Sequence, residues 1–152
     1  MNKFYEADIA AWAEQQADAL RRRTANEVDW ENVAEEIESL ARTDRRVIPN
    51  RLAIICEHLL KWAYQPEHRS GSWRGSVVEA RDQIVRLVQE SPSLRDHPAA
   101  VLAEAYPSGR RKAEAETGLV GLPESCPWTI DQVLEHAFWP SPDEGQNPEE
   151  RG

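Results

Sequence analysis

From Trp30 to Trp62 the sequence places Trp30, Ala34, Ile37, Ala41, Asp44, Ile48, Leu52, Ile55, Leu59 and Trp62 at unbroken steps of three or four. Such spacing puts side chains on one face of an α-helix, whereas a half-buried strand would alternate every second residue. The stretch therefore commits the chain to a long amphipathic helix. Two residues disturb it. Asp44 interrupts the apolar stripe, and Pro49 lies inside it, where a missing N–H and a ring clash cost ~3 kcal/mol. Thr43 could also cap a new helix beginning at Asp44. The stretch is thus one kinked helix or two helices broken near residues 42–49, and the retained phase favours the kinked one.

The rest of the chain reads as helix too. A first helix is expected over about 6–23, with Ile9, Trp12, Ala13, Gln16 and Leu20 on one face. Its acidic start and the run Arg21-Arg22-Arg23 at its end match the helix dipole. Asp29 is a plausible cap before Trp30. Gln65-Pro66 and Ser91-Pro92 are stops, because a residue before proline avoids helical dihedrals. Between them Ser70 or Ser72 can cap a third helix through Trp73, Val77, Ala80, Ile84 and Leu87. A fourth helical region over about 97–117 is divided by Pro107 and weakened again at Gly109. Thr129 and Gln132 form a capping-box pattern, with Trp128 and Val133 as a hydrophobic staple, for a last helix reaching Phe138 or Trp139.

The expected fold is therefore all-α: one helical bundle of about five helices over residues 1–139, with a long second helix. Residues 140–152 hold no apolar side chain except proline rings, and are expected to be a disordered acidic tail. At this length, folding buries roughly 70% of the extended-chain surface, enough for a real core. The net charge of −9 is uneven. Residues 1–112 are nearly balanced, so the acidity belongs to the C-terminal part. With 30% charged residues, no segment is apolar enough to cross a bilayer. The start MNKFYEADIA has neither the basic opening nor the apolar run of a secretion signal, so a cytoplasmic location is expected. Cys56 and Cys126 lack ligand spacing, and buried or unreactive thiols are the ordinary reading.

Several segments together are similar to one known family. DWENVAEEIESLAR, HLLKWAYQPEHRSGSWR, ESPSLR, AEAY, AETGL and PESCPWTIDQVL, in this order, resemble the bacterial family called domain of unknown function 29. The resemblance runs from FYEADIAAWAEQQA to FWP. It implies a small helical bacterial protein and names no reaction. Where the family pattern carries SLG, this chain carries SLA at Ala41; a glycine there would suit a helix end.

Three constellations could carry function. Glu35 and Glu38 lie with Glu31 on one flank of the long helix, and His58 lies on the other. Helical bundles hold metals with inward Glu residues and Glu-x-x-His pairs, but no such pair occurs here. Glu38 and His58 would be ~30 Å apart along an unbroken helix. They would meet only if the chain folded back near Thr43, or across a dimer. No metal or cofactor is expected. The second constellation is an anion site. His58, Lys61 and Gln65 form one stripe, and His68, Arg69 and Arg74 bracket Ser70-Gly71-Ser72 at a helix start, where free N–H groups suit phosphate or carboxylate. Internal pairing of Arg69 and Lys61 with Glu35 or Glu38 is the blander use of the same residues. The third is nucleic acid, through Arg42, Arg45, Arg46, Arg51 and the run Arg110-Arg111-Lys112; no recognition motif organises them, which disfavours it.

By elimination the leading expectation is a non-enzymatic protein-interaction or regulatory module, with self-association through the long stripe as one route. A small enzyme or anion- or metal-binding protein, using Glu35, Glu38, His58, Lys61, Gln65, Arg69, Ser72 and Arg74, is the alternative. A nucleic-acid-associated protein comes third, and no membrane partner is expected.

Overall fold

Asp8 decides how the chain begins. Its side chain accepts a hydrogen bond from the Ala11 N–H at 3.0 Å, and its backbone is non-helical. The single first helix expected from spacing is therefore two, α1 (Lys3–Ala7) and α2 (Ile9–Arg22). They are followed by α3 (Trp30–Tyr64), α4 (Gly71–Glu90), α5 (His97–Thr117) and α6 (Ile130–Leu134). The computed structural model describes residues 3–141. Of the acidic tail expected over 140–152, residues 142–152 lie outside the described residues, while Pro140 is fully buried and so belongs to the folded part. Among the described residues there are six α-helices, three 3-10 turns and no strand. The all-α expectation holds, with the long helix as its largest element.

That helix is continuous. It runs through Thr43, Asp44 and Pro49 without a break, so the alternative of two helices is not what forms. Its burial, however, changes along its length. Ile48, Leu52, Ile55 and Leu59 are fully buried, while Trp30, Ile37 and Leu40 are exposed by 59%, 62% and 69%. One uniform stripe in sequence is thus a core face in its second half and an open face in its first. Correspondingly, the chain divides into two compact units, Met1–Thr43 and Asp44–Gly152.

The first unit is a helical hairpin. Arg23 takes a left-handed conformation (φ 57°) to close α2, and its N–H returns to the carbonyls of Ala19 and Leu20. The chain then reverses into α3. The Tyr5 hydroxyl donates to Glu36 at 2.7 Å, and the Trp12 indole N–H donates to Asp29 at 3.3 Å. The buried Gln16 side chain accepts from the Asp29 N–H at 2.7 Å. Tyr5 packs edge-on to Trp12 with ring centroids 4.8 Å apart. Trp12, Gln16, Ala19 and Val28 are its buried residues among those described.

The second unit holds the main core, built from the C-terminal half of α3 with α4, α5 and the segment through α6. Ser70, not Ser72, caps α4, accepting from the Trp73 N–H at 3.3 Å. Helix α5 also corrects an expectation, because it runs unbroken through Pro107. Gly109 explains how. A Cβ there would stand 2.4 Å from the Ala53 carbonyl oxygen and 3.1 Å from the Cys56 Cβ. The bare glycine lets α5 lie directly on α3, and that packing offsets the proline's cost. The Thr129–Gln132 capping box forms as read, but α6 ends at Leu134, and Phe138 and Trp139 follow in irregular chain.

Candidate functional site

Glu57 and Lys61 are one helical turn apart on α3, and both are buried, at 2% and 3% exposure. Burying a charge is costly unless it is paired. Here the Lys61 ammonium donates to Glu57 at 3.1 Å and to Glu116 of α5. Lys112 stands 3.8 Å from the second Glu57 oxygen. Two cations and two carboxylates thus close on themselves between α3 and α5. Lys61 also lies 5.6 Å from the centre of the Trp73 ring. Burial alone would lower the Lys61 pKa; the Glu116 and Glu57 carboxylates outweigh it, and the net direction is up. Glu116 moves down, chiefly because Lys61 hydrogen-bonds its charged form.

A cleft of about 410 Å3 opens beside this network, lined by Lys61, Gln65, His68, Trp73, Glu116 and Thr117. All six belong to two of the segments that carry the family resemblance, HLLKWAYQPEHRSGSWR and AETGL. Of the residues expected at a site, Lys61 and Gln65 meet here. His58 stands next to Glu57 in sequence, and its Nδ1 is buried without a hydrogen-bond partner. Its pKa is lowered, first by burial. Arg69 and Arg74 gather on Trp62, their guanidinium carbons 4.8 and 5.2 Å from the ring centre, and Arg69 also donates to the Trp62 carbonyl at 2.9 Å. Arg74 lies 5.1 Å from the Trp139 ring as well. Ser72 is exposed in the first turn of α4.

Glu35 and Glu38 are paired elsewhere. Arg42 donates to Glu35 at 2.7 Å and lies 3.8 Å from Glu38, all three being solvent-exposed. The internal pairing expected for Lys61 is therefore made to Glu57 and Glu116. Glu116 was not singled out in sequence, although AETGL lies 55 residues from Lys61 and only a tertiary contact joins them. Among the described residues, no group of three or more His, Cys, Asp or Glu is placed to hold a metal ion.

Two further features escaped the sequence reading. Arg81 is fully buried on α4, donating to the carbonyls of Val133 at 2.8 Å and Phe138 at 3.0 Å. Burial pushes its pKa down to about 10. Cys56 and Cys126, 70 residues apart, meet as free thiols in a hydrogen bond. That bond, ahead of burial, raises the Cys56 pKa and lowers that of Cys126.

The family model described as "Domain of unknown function DUF29" matches residues 4–139. The chain belongs to this family. No curated protein and no solved structure matches it. The DUF29 assignment agrees with the resemblance read from the Trp-rich segments, and it carries no activity. Among the described residues no helix is long and apolar enough to cross a membrane.

The His58 and Glu116 shifts set a pH dependence. Both folded-state pKa values lie below the ordinary 6.5 and 4.5. Each group therefore adds stability that is complete above its ordinary value and is lost as pH falls through the depressed one. Thermal melting should weaken first below pH 6.5, as unfolded His58 takes up its proton. His58→Gln should flatten that first step and leave the later, carboxylate-driven one. An unchanged first step in the variant would assign it to another group.

Proposed function

We propose that this DUF29 chain is a protein-interaction module whose working surface is the open apolar face of its N-terminal hairpin. One observation carries the reading: Trp30, Ile37 and Leu40 are each more than half exposed on the first turns of α3. Ile9 and Leu20 of α2 are exposed by 50% and 43%. Leu20 and Trp30 share an apolar groove with Ala19, Val28 and the stem of Arg23. Single exposed apolar residues are ordinary, but a contiguous apolar face of several hundred Å2 marks an interaction site. The polar network around Lys61 supports the same ranking, because its charges are already matched within the chain. A cytoplasmic, non-enzymatic role fits this reading.

The test is access. In dilute, monomeric protein the methyl groups of Ile37 and Leu40 should be broadened by a soluble paramagnetic probe as strongly as other surface methyls. Protection of both in the monomer would mean that the chain covers its own face, and the proposal would fall.

A second reading is favoured by Arg69 and Arg74. Among the described residues neither guanidinium has a carboxylate partner, and both lie on Trp62 beside the start of α4. This arrangement suits a phosphate or carboxylate group. Inorganic phosphate should then shift the amide signals of residues 70–74, and no shift at millimolar phosphate would retire it.

A further inference from the structure

We propose that Cys126 is an oxidation site, which takes an oxygen atom from a small neutral peroxide and passes the oxidation to Cys56 as an intramolecular disulfide. Both residues belong to the second unit, so the proposal is independent of the hairpin face.

Access sets the order of events. Cys56 is 0% exposed, and α5 lies against it where a Cβ on Gly109 would stand 3.1 Å from the Cys56 Cβ. Cys126 is half-buried and lines a cleft of about 330 Å3 with Leu102, Ala103, Tyr106, Glu124 and Trp128. An oxidant therefore meets Cys126 first and reaches Cys56 only through it. Either thiol alone would be ordinary packing. Together they form a relay: Cys126 packs on the core cluster that contains Cys56, so its sulfur sits between cleft and core. Its thiol donates to the Trp128 carbonyl at 3.4 Å and accepts from the Cys56 thiol. The cleft also selects its oxidant. Its walls are chiefly apolar and Glu124 is the one charged lining residue, which favours a small neutral peroxide over an anion such as oxidised glutathione.

The chemistry balances in two steps. The Cys126 thiolate attacks one peroxide oxygen, the O–O bond breaks, and the departing hydroxide or alkoxide takes up the proton that the thiol gave away. Cys126 is then a sulfenic acid. The Cys56 sulfur displaces the hydroxyl of that acid: the S–S bond forms, the S–O bond breaks, and the Cys56 proton leaves with the hydroxyl as water. Two thiols are oxidised by two electrons, and the peroxide is reduced to water, or to water and an alcohol. The hydrogen bond from Cys56 favours the Cys126 thiolate, the form that attacks. Contact between the two sulfurs then makes the second step unimolecular. The product ties the segment before α6 to the middle of α3.

The experiment treats the reduced full chain with hydrogen peroxide, alkylates the remaining thiols and maps the peptides by mass spectrometry. The wild type should give a Cys56–Cys126 linked peptide within one chain, and dithiothreitol should restore both thiols. Cys56→Ala should stop at the Cys126 sulfenic acid, raising its capture by a 1,3-diketone about tenfold over the wild type. Cys126→Ser should slow the oxidation of Cys56 by about tenfold or more. Oxidised glutathione at the same concentration should form the link about tenfold more slowly than peroxide. A wild type in which Cys126 is oxidised while Cys56 stays reduced overturns the proposal, as does a link between two chains in place of one within a chain. Cys56 oxidised at an undiminished rate in Cys126→Ser overturns Cys126 as the point of entry. A faster link with oxidised glutathione overturns peroxide as the oxidant. The wild-type map decides the pairing whether or not the variants fold.

Discussion

Lys61→Met is expected to lower the unfolding free energy by about 3–5 kcal/mol, the usual cost of removing one partner from a buried ion pair. Methionine keeps most of the volume, so the loss is electrostatic. It leaves Glu57, with a side chain 3% exposed, facing only Lys112 at 3.8 Å. Glu116, half exposed, can turn to water and suffers little. The check is urea unfolding followed by far-ultraviolet circular dichroism. Glu57→Gln combined with Lys61→Met should recover most of the loss, because no uncompensated buried charge then remains. If Lys61→Met alone costs under about 1 kcal/mol, the pair is solvated and behaves as a surface salt bridge.

Arg81→Ala should cost about 3 kcal/mol or more. Two charge-assisted hydrogen bonds to backbone carbonyls disappear, each worth roughly 1.5–3 kcal/mol, and the space of a fully buried side chain is left empty. The loss has a location. Arg81 is the group that holds Val133 and Phe138 to α4, and its guanidinium lies 5.3 Å from the Trp139 ring. Near-ultraviolet circular dichroism from Trp128 and Trp139 should therefore diminish in the variant before helix content does. A uniform loss of stability with those aromatic signals intact would argue against this docking role.

The helices were legible because local rules determine them. Spacing placed α3, α4 and α5, proline stopped α3 and α4, and the Thr129 capping box started α6. The misreadings have physical causes. The acidic start of the expected first helix was credited to the helix dipole, whereas its Asp8 is a cap that divides α1 from α2. Pro107 was read as a breaker, because the compensating approach of Gly109 to Ala53 is tertiary and has no local signal. Arg81 did leave a trace. It stands four residues after Val77 and three before Ile84, on the apolar face of α4, where a charged residue signals a buried partner.

The candidate site was half legible. The stripe of His58, Lys61 and Gln65 pointed to the right turns of α3, but the partners of Lys61 could not be read. Glu57 stands one turn before Lys61, but nothing local marks it as buried, and Glu116 lies on another helix. The division of α3 into a buried half and an open half was invisible, since Trp30, Ala34 and Ile37 obey the same period as Ile48, Leu52 and Ile55. Periodicity reports which face is apolar; it does not report whether anything covers it.

The thinness of the hairpin's core has a kinetic consequence. A unit held by Trp12, Gln16, Ala19 and Val28, with exposed ion pairs such as Arg22 to Asp18 and Glu27, belongs among the elements that open most readily. Its backbone amides should exchange with deuterated solvent long before those around Leu52 and Leu59.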